Sequence, residues 1–247
     1  MGVRGETVVG AQDNVIPLRD INPTRRVPYV TYALIALNLA MFVYQFIELT
    51  PTQNQEFVHQ HGVVPYYLLS GYGPSLSTPL SSMFMHGGLG HLVSNMWFLH
   101  VFGDNVEDSL GRLRYVFFYL FTGVVAVFTH SLLQPASQLP LVGASGAISG
   151  VLGAYVLMYP RARVVTFVPF FFFFELPAFF FILIWFSLQV FSGCDSLSST
   201  QTAGVAFSAH VGGFIAGLVF VGLGGRPKRN PVTYLGPRVS TRELRRR

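Results

Sequence analysis

The sequence predicts an all-α, polytopic membrane protein built as a bundle of six transmembrane helices. The first observation is composition: of 247 residues, 51% are hydrophobic and only 11% are charged, and the mean hydropathy is +0.48. Soluble domains carry about 25% charged residues. The second observation is a series of six apolar stretches of roughly 17 to 25 residues, the length of a membrane-crossing helix. The third is that Lys and Arg occur only in alternate connections between these stretches.

The six apolar stretches predict the helices in order. They cover residues 29–48, 86–105, 115–134, 143–159, 176–192 and 204–224. The fourth is short, so we expect it to begin below the outer membrane surface. In the fifth, Pro177 fits a first helical turn and Glu175 fits the positive end of the helix, with residues 170–174 along the membrane interface. The alternative is a longer helix that buries Glu175 near mid-membrane, at a high energetic cost.

The basic residues predict the orientation. All sixteen lie before the first stretch, between the second and third, between the fourth and fifth, or after the sixth. By the positive-inside rule, both termini are therefore cytoplasmic. We expect a cytoplasmic segment over residues 1–28, a six-helix membrane domain over 29–225 and a basic cytoplasmic tail over 226–247. The first stretch is long enough to be an anchor rather than a cleaved signal.

The expected partners follow from charge and cysteine content. The tail charges favour the anionic headgroups of the lipid bilayer, and we expect no nucleic-acid partner. Cys194 is the single cysteine, which excludes an internal disulfide, and we interpret it as a loop residue. Without a cluster of Cys and His, no metal and no other cofactor is expected.

The connection over residues 49–85 is long, poor in charge and rich in Tyr, Pro and Leu. It fits an ordinary ordered loop. It also fits a structure half-sunk in the outer leaflet, because tyrosine is favoured at the membrane interface.

Polar side chains inside predicted spans are functional candidates, because hydrocarbon penalises them. His91 and Asn95 lie on the second helix, Ser145 on the fourth and His210 on the sixth. These helices run in the same direction, and at about 1.5 Å per residue His210 lies about 9 Å along its helix, with His91 at a similar depth. The topology therefore predicts that the four side chains share one layer beneath the outer membrane surface.

Small residues provide a means of bringing the fourth and sixth helices together. They recur at four-residue spacing, as Gly146, Gly150 and Ala154 on the fourth helix and as Ala209, Gly213 and Gly217 on the sixth. Such stripes let helix backbones approach closely in lipid and are common in membrane bundles. Because these two lie beside Ser145 and His210, we expect them to hold that pair within hydrogen-bond reach.

The residue types indicate acyl-transfer chemistry. A serine hydroxyl is a weak nucleophile until a base takes its proton, and histidine suits that task near neutral pH. We therefore predict Ser145 as nucleophile and His210 as base. His91 and Asn95 share a helix face and are predicted to stabilise the oxyanion with the Ser145 amide. No acidic residue falls in this layer, so a Ser–His dyad is expected. Taken singly, a membrane serine usually bonds its own backbone and a buried histidine often only packs.

Four motifs, in order along the chain, resemble the rhomboid intramembrane serine proteases. They are HGGLGHLVSN over 86–95, the ExxxGxxR run of Glu107, Gly111 and Arg114, GASG over 143–146 and AHVGG over 209–213. The resemblance covers about residues 81–225. It implies a six-helix bundle whose active site opens outward, with Ser145 as nucleophile, His210 as base, and His91 and Asn95 as oxyanion partners. It also implies a structural role for His86.

The resemblance further implies the substrates. These are single-pass membrane proteins, cut in or near a transmembrane helix that enters between the second and fifth helices. The gate would be formed by Trp97, Phe98, Trp185 and Phe186, four aromatics that fit equally well as lipid-facing side chains. The compact form looks bacterial, so we expect a multi-pass protein of the bacterial plasma (inner) membrane.

Two features depart from the family pattern. Some members have a Trp-Arg pair in the first outer loop, and this loop has no arginine. Some have an aromatic residue four positions after the nucleophile, where this chain has Ser149. An inactive, client-binding relative is the main alternative, although it would be expected to lack Ser145 or His210. A transporter would favour inverted repeats, and a membrane metalloprotease would need an HExxH motif.

Overall fold

The computed structural model describes residues 16–71, 77–168, 172–198 and 207–224, and these are mostly helical. The helices are α1 Tyr29–Val43, α2 Pro51–His61, α3 Pro65–Ser70, α4 Thr78–Ser81, α5 Leu89–Leu110, α6 Arg112–Leu133, α7 Ser145–Met158, α8 Ala178–Ser198 and α9 Phe207–Leu223. Helix α1 continues into a π-helical turn over Tyr44–Glu48, and α4 into a 3-10 turn over Ser82–Phe84. The strands are β1 Ile16–Asp20, β2 Arg163–Val168 and β3 Phe172–Pro177.

The long helices follow the predicted spans closely. α1 with its π-turn, α6, α7 and α9 begin and end within about three residues of the predicted bounds, an ordinary scatter for helix ends. α5 continues past the predicted end at residue 105 to Leu110. Tyr29–Glu48 and Arg112–Leu133 have the length and apolarity of membrane-crossing helices, whereas α7, α9 and the first part of α8 are apolar but shorter. The helical architecture is confirmed, and the count of six crossings stays a prediction.

The connection between α5 and α6 fixes one end of the bundle. The buried carboxylate of Glu107 accepts hydrogen bonds from the Val30 and Thr31 amides at 3.1 and 2.8 Å and from the Thr31 hydroxyl at 2.8 Å. It thereby caps the first turn of α1, whose amides have no partner within the helix. Gly111 makes the turn with a φ of 77°. Arg114 Nη2 donates to the Gly224 carbonyl just past the end of α9, at 3.3 Å. The ExxxGxxR run thus joins the ends of four helices.

The core lies where α7 packs against α9 and α6. Most of α7 is buried, in line with its central place. A Cβ added at Gly213 would overlap the carbonyl oxygen of Gly146, and one at Gly217 would overlap that of Gly150. The two predicted stripes of small residues therefore face each other with the backbones in contact, the arrangement by which helices associate in lipid.

A three-stranded antiparallel sheet corrects the all-α prediction. β2 and β3 form a hairpin with Arg163 opposite Pro177 and Val168 opposite Phe172, and β1 pairs with the other edge of β2. These segments are rich in β-branched and aromatic residues, which favour strands. From their apolar composition alone, these segments are expected to lie in the membrane or along its interface.

The start of the fifth long helix is corrected as well. α8 begins at Ala178 rather than at residue 176, so Pro177 ends a strand instead of occupying a first helical turn. Glu175 pairs with Arg163 across the hairpin at 3.0 Å, with both side chains exposed. It neither faces the positive end of a helix nor lies buried. Residues 172–174 belong to β3, whereas 170 and 171 lie outside the described residues. Cys194 belongs to α8 and not to a loop.

The N-terminal strand β1 is anchored to the bundle. The Asp20 carboxylate accepts hydrogen bonds from Asn105 Nδ2 at 2.7 Å and from the Tyr155 hydroxyl at 2.6 Å. Trp97 Nε1 of α5 donates to the Pro17 carbonyl. Burial raises the pKa of the Asp20 carboxyl to about 7. Part of the predicted cytoplasmic segment over residues 1–28 is therefore folded against α5 and α7.

The described residues of the connection between α1 and α5 are largely helical. Thr50 and Gln53 form a reciprocal capping box at the start of α2. Val63 pairs with Leu141, the residue that leads into the GASG turn. This pairing ties the connection to the start of α7. Its depth in a membrane stays a prediction.

Candidate active site

Ser145 and His210 meet at the end of the bundle where α7 and α9 begin, here called the Ser145 end. Ser145 Oγ and His210 Nε2 lie 2.8 Å apart and share a hydrogen bond. His210 is buried, and Ser145 is half-buried at the first position of α7. The close packing of α7 on α9 makes the contact possible. The sequence predicted this meeting of two side chains that lie 65 residues apart in the chain.

The turn before Ser145 brings His91 to the same place. Gly143 has a φ of 130°, a conformation that side-chain-bearing residues rarely adopt. A Cβ there would lie 2.7 Å from Cε1 and 2.8 Å from Nε2 of His91, and 3.6 Å from Ser145 Oγ. The imidazole of His91 and the hydroxyl of Ser145 therefore flank Gly143. The Gly143 amide donates to the Ser82 carbonyl at 2.9 Å, which holds the turn against the connection between α1 and α5.

Asn95 is bonded to His86. The buried Asn95 Nδ2 donates to His86 Nε2 at 3.0 Å. His86 is fully buried, its backbone amide donates to Gln45 Oε1 at 3.1 Å, and its ring centroid lies 5.1 Å from that of His91. An amide nitrogen carries two hydrogens, so Asn95 keeps one for another acceptor. His86 orients Asn95 and packs on His91, which accords with the structural role implied by the resemblance.

Aromatic rings beside His210 come from α8 and α9. The Trp185 ring centroid lies 6.1 Å from that of His210, and the Phe207 ring lies 6.3 Å away, edge to face. Ser149 stands where some rhomboids have an aromatic residue, and its hydroxyl donates to the Ser145 carbonyl at 2.7 Å. The absence of an aromatic residue at position 149 could be seen in the sequence. The placement of Trp185 beside His210 could not, because no pattern in the sequence indicates it.

The four predicted gate aromatics separate into two groups. Phe98 of α5 and Trp185 of α8 face each other with centroids 6.3 Å apart. Trp97 instead bonds to β1, and Phe186 stacks on Phe214 of α9 at 4.4 Å. Of these four aromatics, Phe98 and Trp185 are therefore the pair that meets where α5 faces α8.

Within the part of the chain that the structure describes, no three His, Cys, Asp or Glu side chains are grouped as metal ligands. The His residues near Ser145 contact one another, Asn95 and the serine. Their arrangement suits proton transfer and hydrogen bonding.

Comparison with known proteins agrees with this geometry. Residues 74–227, more than half of the chain, match the Rhomboid domain. Rhomboid-like protein 11, chloroplastic, of Arabidopsis thaliana is 35% identical over 102 residues, which are 41% of this chain and 36% of that protein. Presenilin-associated rhomboid-like protein, mitochondrial, of Homo sapiens is 28% identical over 176 residues, 67% of this chain and 42% of that protein.

A third relative matches over a longer stretch. Rhomboid protein 1, mitochondrial, of Saccharomyces cerevisiae is 26% identical over 201 residues, 77% of this chain and 52% of that protein. The matched region thus spans between 36% and 52% of these relatives' own length. The family match covers the motifs around His86, Ser145 and His210 and the helices that bring them together. The chain belongs to the rhomboid family of membrane proteins.

Proposed function

We propose that the protein is an intramembrane serine endopeptidase that hydrolyses peptide bonds in or near the transmembrane helices of single-pass membrane proteins. The observation that carries the proposal is the 2.8 Å contact between Ser145 Oγ and His210 Nε2 at the start of α7. Membership of the rhomboid family supports it. A nucleophile and a base within hydrogen-bond reach are the minimum that acyl transfer requires.

The reaction follows the chemistry of serine hydrolases. His210 Nε2 takes the proton of the Ser145 hydroxyl as Oγ attacks the carbonyl carbon of the scissile bond, and a tetrahedral intermediate forms. The intermediate collapses, the C–N bond breaks, and the imidazolium of His210 gives its proton to the leaving amine. A water molecule, deprotonated by His210, then attacks the carbonyl carbon of the acyl-enzyme. The ester bond to Ser145 Oγ breaks, the new carboxyl end leaves, and His210 returns the proton to Oγ.

The oxyanion of the intermediate needs donors aimed at it. The Ser145 amide lies in the first turn of α7, where amides have no partner within the helix. His91 lies beside Ser145 across Gly143, and Asn95 keeps one amide hydrogen after bonding His86. We assign these three groups to the oxyanion. Removal of one such donor typically slows catalysis by about 10²- to 10³-fold.

The charge pattern supports an orientation for the reaction. With Lys and Arg confined to alternate connections, six crossings leave both termini in the cytoplasm and the Ser145 end towards the outside. We propose that the chain resides in the plasma (inner) membrane of a bacterium. A substrate helix would enter between α5 and α8, past Phe98 and Trp185.

The proposal is tested by cleavage of a panel of single-pass transmembrane reporters in reconstituted vesicles. Ser145→Ala and His210→Ala should each abolish cleavage while leaving the protein expressed and folded. A fluorophosphonate probe should label the wild-type chain at Ser145 and leave Ser145→Ala unlabelled. Cleavage that persists in Ser145→Ala would falsify the mechanism.

The alternative is a family member that binds membrane clients without cutting them. It predicts that reporters associate with the wild type and with Ser145→Ala equally and that neither chain yields products. The same reporter panel therefore separates the two functions.

A further inference from the structure

A second Ser–His contact lies at the Ser145 end, outside the proposed dyad. His130 Nδ1 of α6 and Ser208 Oγ of α9 are 2.7 Å apart and share a hydrogen bond. His130 lies in the last turn of α6 and Ser208 in the first turn of α9, and both are half-buried. The proposed mechanism assigns neither of them a role.

Ser208 and His210 belong to the same helical turn. They are separated by about 3 Å along the axis and by about 200° around it, so they project to nearly opposite sides of α9. Ser208 thus reaches α6 while His210 reaches Ser145 on α7. The first turn of α9 is held from two sides by directional polar contacts. This matters because first-turn amides have no partner within the helix, and helix ends fray.

The glycine packing of α9 does not supply the same restraint. A Cβ at Gly212 would overlap Thr129 of α6, and one at Gly213 would overlap the Gly146 carbonyl of α7. These contacts set how closely α9 approaches its neighbours. They lie at least one turn after Ser208, as do the rings of Phe214 and Phe220 that pack on α8 and α6. Rotation of the first turn about the helix axis therefore depends on contacts nearer the start of α9. A hydrogen bond weakens steeply when its angle changes, so the bond between His130 and Ser208 opposes that rotation.

A small rotation would be enough to separate the dyad. Cα atoms lie about 2.3 Å from the helix axis, which puts the imidazole Nε2 of His210 at a radius of about 6 to 7 Å. A rotation of about 10° then moves Nε2 by about 1 Å. A misplacement of about 1 Å can cost about 100-fold in rate.

We propose that His130 and Ser208 are positioning residues of the protease, whose bond fixes the rotation of the first turn of α9 and so keeps His210 against Ser145. This inference rests on the proposed function. Neither residue touches the substrate. Their effect passes through the geometry of the base.

The test compares alanine with conservative substitutions. His130→Ala and Ser208→Ala remove the bond, whereas His130→Asn keeps a polar atom near the place of Nδ1 and Ser208→Thr keeps the hydroxyl. In reporter cleavage we expect each alanine variant to lower kcat by about 10- to 100-fold with KM unchanged. We expect the conservative variants to recover most of the loss. The double alanine variant should be no slower than the singles, because residues that act through one bond are not additive.

Two results would overturn the inference. One is an alanine variant that keeps the wild-type kcat, and the other is a conservative variant that loses as much as its alanine counterpart. The rate of fluorophosphonate labelling at Ser145 should fall in parallel with kcat, since labelling needs the same base but no substrate helix.

A measurement without catalysis separates this inference from the proposed function. Thermal unfolding of the wild type, both single alanine variants and the double variant forms a double-mutant cycle for the bond itself. If the Tm shifts of the two single variants are not additive in the double variant, the bond between His130 and Ser208 contributes to stability. Such coupling together with no cleavage by the wild type would refute the protease function but not the bond. Additive Tm shifts would refute the bond, whatever the activity.

Discussion

A methyl group placed at Gly213 would test how closely the proposed dyad depends on helix packing. Gly213 lies against the main-chain carbonyl oxygen of Gly146, the residue that follows Ser145. In Gly213→Ala the added Cβ would overlap that oxygen. The obstacle is backbone in the middle of a packed interface, so no side-chain rotation relieves it. The only response is a shift of α9 away from α7.

The size of the shift follows from contact distances. A carbon and a carbonyl oxygen need about 3.3 Å between them, so we expect the helices to part by about 1 Å. His210 lies one turn before Gly213 on the same side of α9. The distance from Ser145 Oγ to His210 Nε2, now 2.8 Å, would grow beyond the ordinary hydrogen-bond range of about 3.2 Å. We expect cleavage to fall by about 100-fold and the free energy of unfolding by about 1 to 3 kcal/mol.

Gly222→Ala is the matched control. Gly222 lies on the same helix, and a Cβ there meets nothing within 4 Å. Alanine favours the helix over glycine by up to about 1 kcal/mol in its interior, and by less at Gly222 in the last turn of α9. Only Gly213→Ala should separate the helices. The assay is reporter cleavage in vesicles, together with thermal unfolding in detergent. Equal cleavage by the two variants would show that the dyad does not depend on this approach of α7 and α9.

Two further predictions concern the opposite end of the bundle. Burial raises the pKa of Asp20 from 3.8 to about 7, so between these values the folded chain binds more protons than the unfolded one and stability falls as pH rises. Asp20→Asn should remove this part of the pH dependence of Tm. An unchanged dependence of Tm on pH in this variant would contradict the role of Asp20. Glu107→Ala leaves the amides of Val30 and Thr31 without their acceptor, so Tm should fall by an amount equivalent to about 1 to 3 kcal/mol. Glu107→Gln keeps an acceptor oxygen, so its Tm should fall by less than that of Glu107→Ala. An equal fall of Tm in both variants would refute the capping role.

The proposed dyad could be predicted because three constraints agree. Apolar length predicted the spans, alternating charge predicted their direction, and the rare polar residues within them were then expected to share one layer. The small-residue stripes indicated which helices touch, and the structure shows Gly213 on Gly146.

The sheet could not be predicted in the same way. The run over 163–177 is apolar and aromatic, a composition shared by buried strands and by membrane or interfacial segments. Its pairing with β1 depends on a segment about 150 residues away, for which no local pattern exists. The bond of His130 to Ser208 is of the same kind. It joins residues of two helices whose relative rotation is set only once the helices have packed.

The sheet has a consequence for the order of folding. β1 is synthesised before every helix of the bundle, yet its partner β2 follows α7 in the chain. Contacts between residues so far apart in sequence form late, because closing a long loop costs entropy before any bond repays it. The hydrogen bonds of Asp20 also cannot form until Tyr155 and Asn105, which belong to two separate helices, are in place. β1 leaves the ribosome before the helices and is therefore expected to be among the last elements to reach its native position. A nascent chain arrested before residue 163 should leave β1 open to protease.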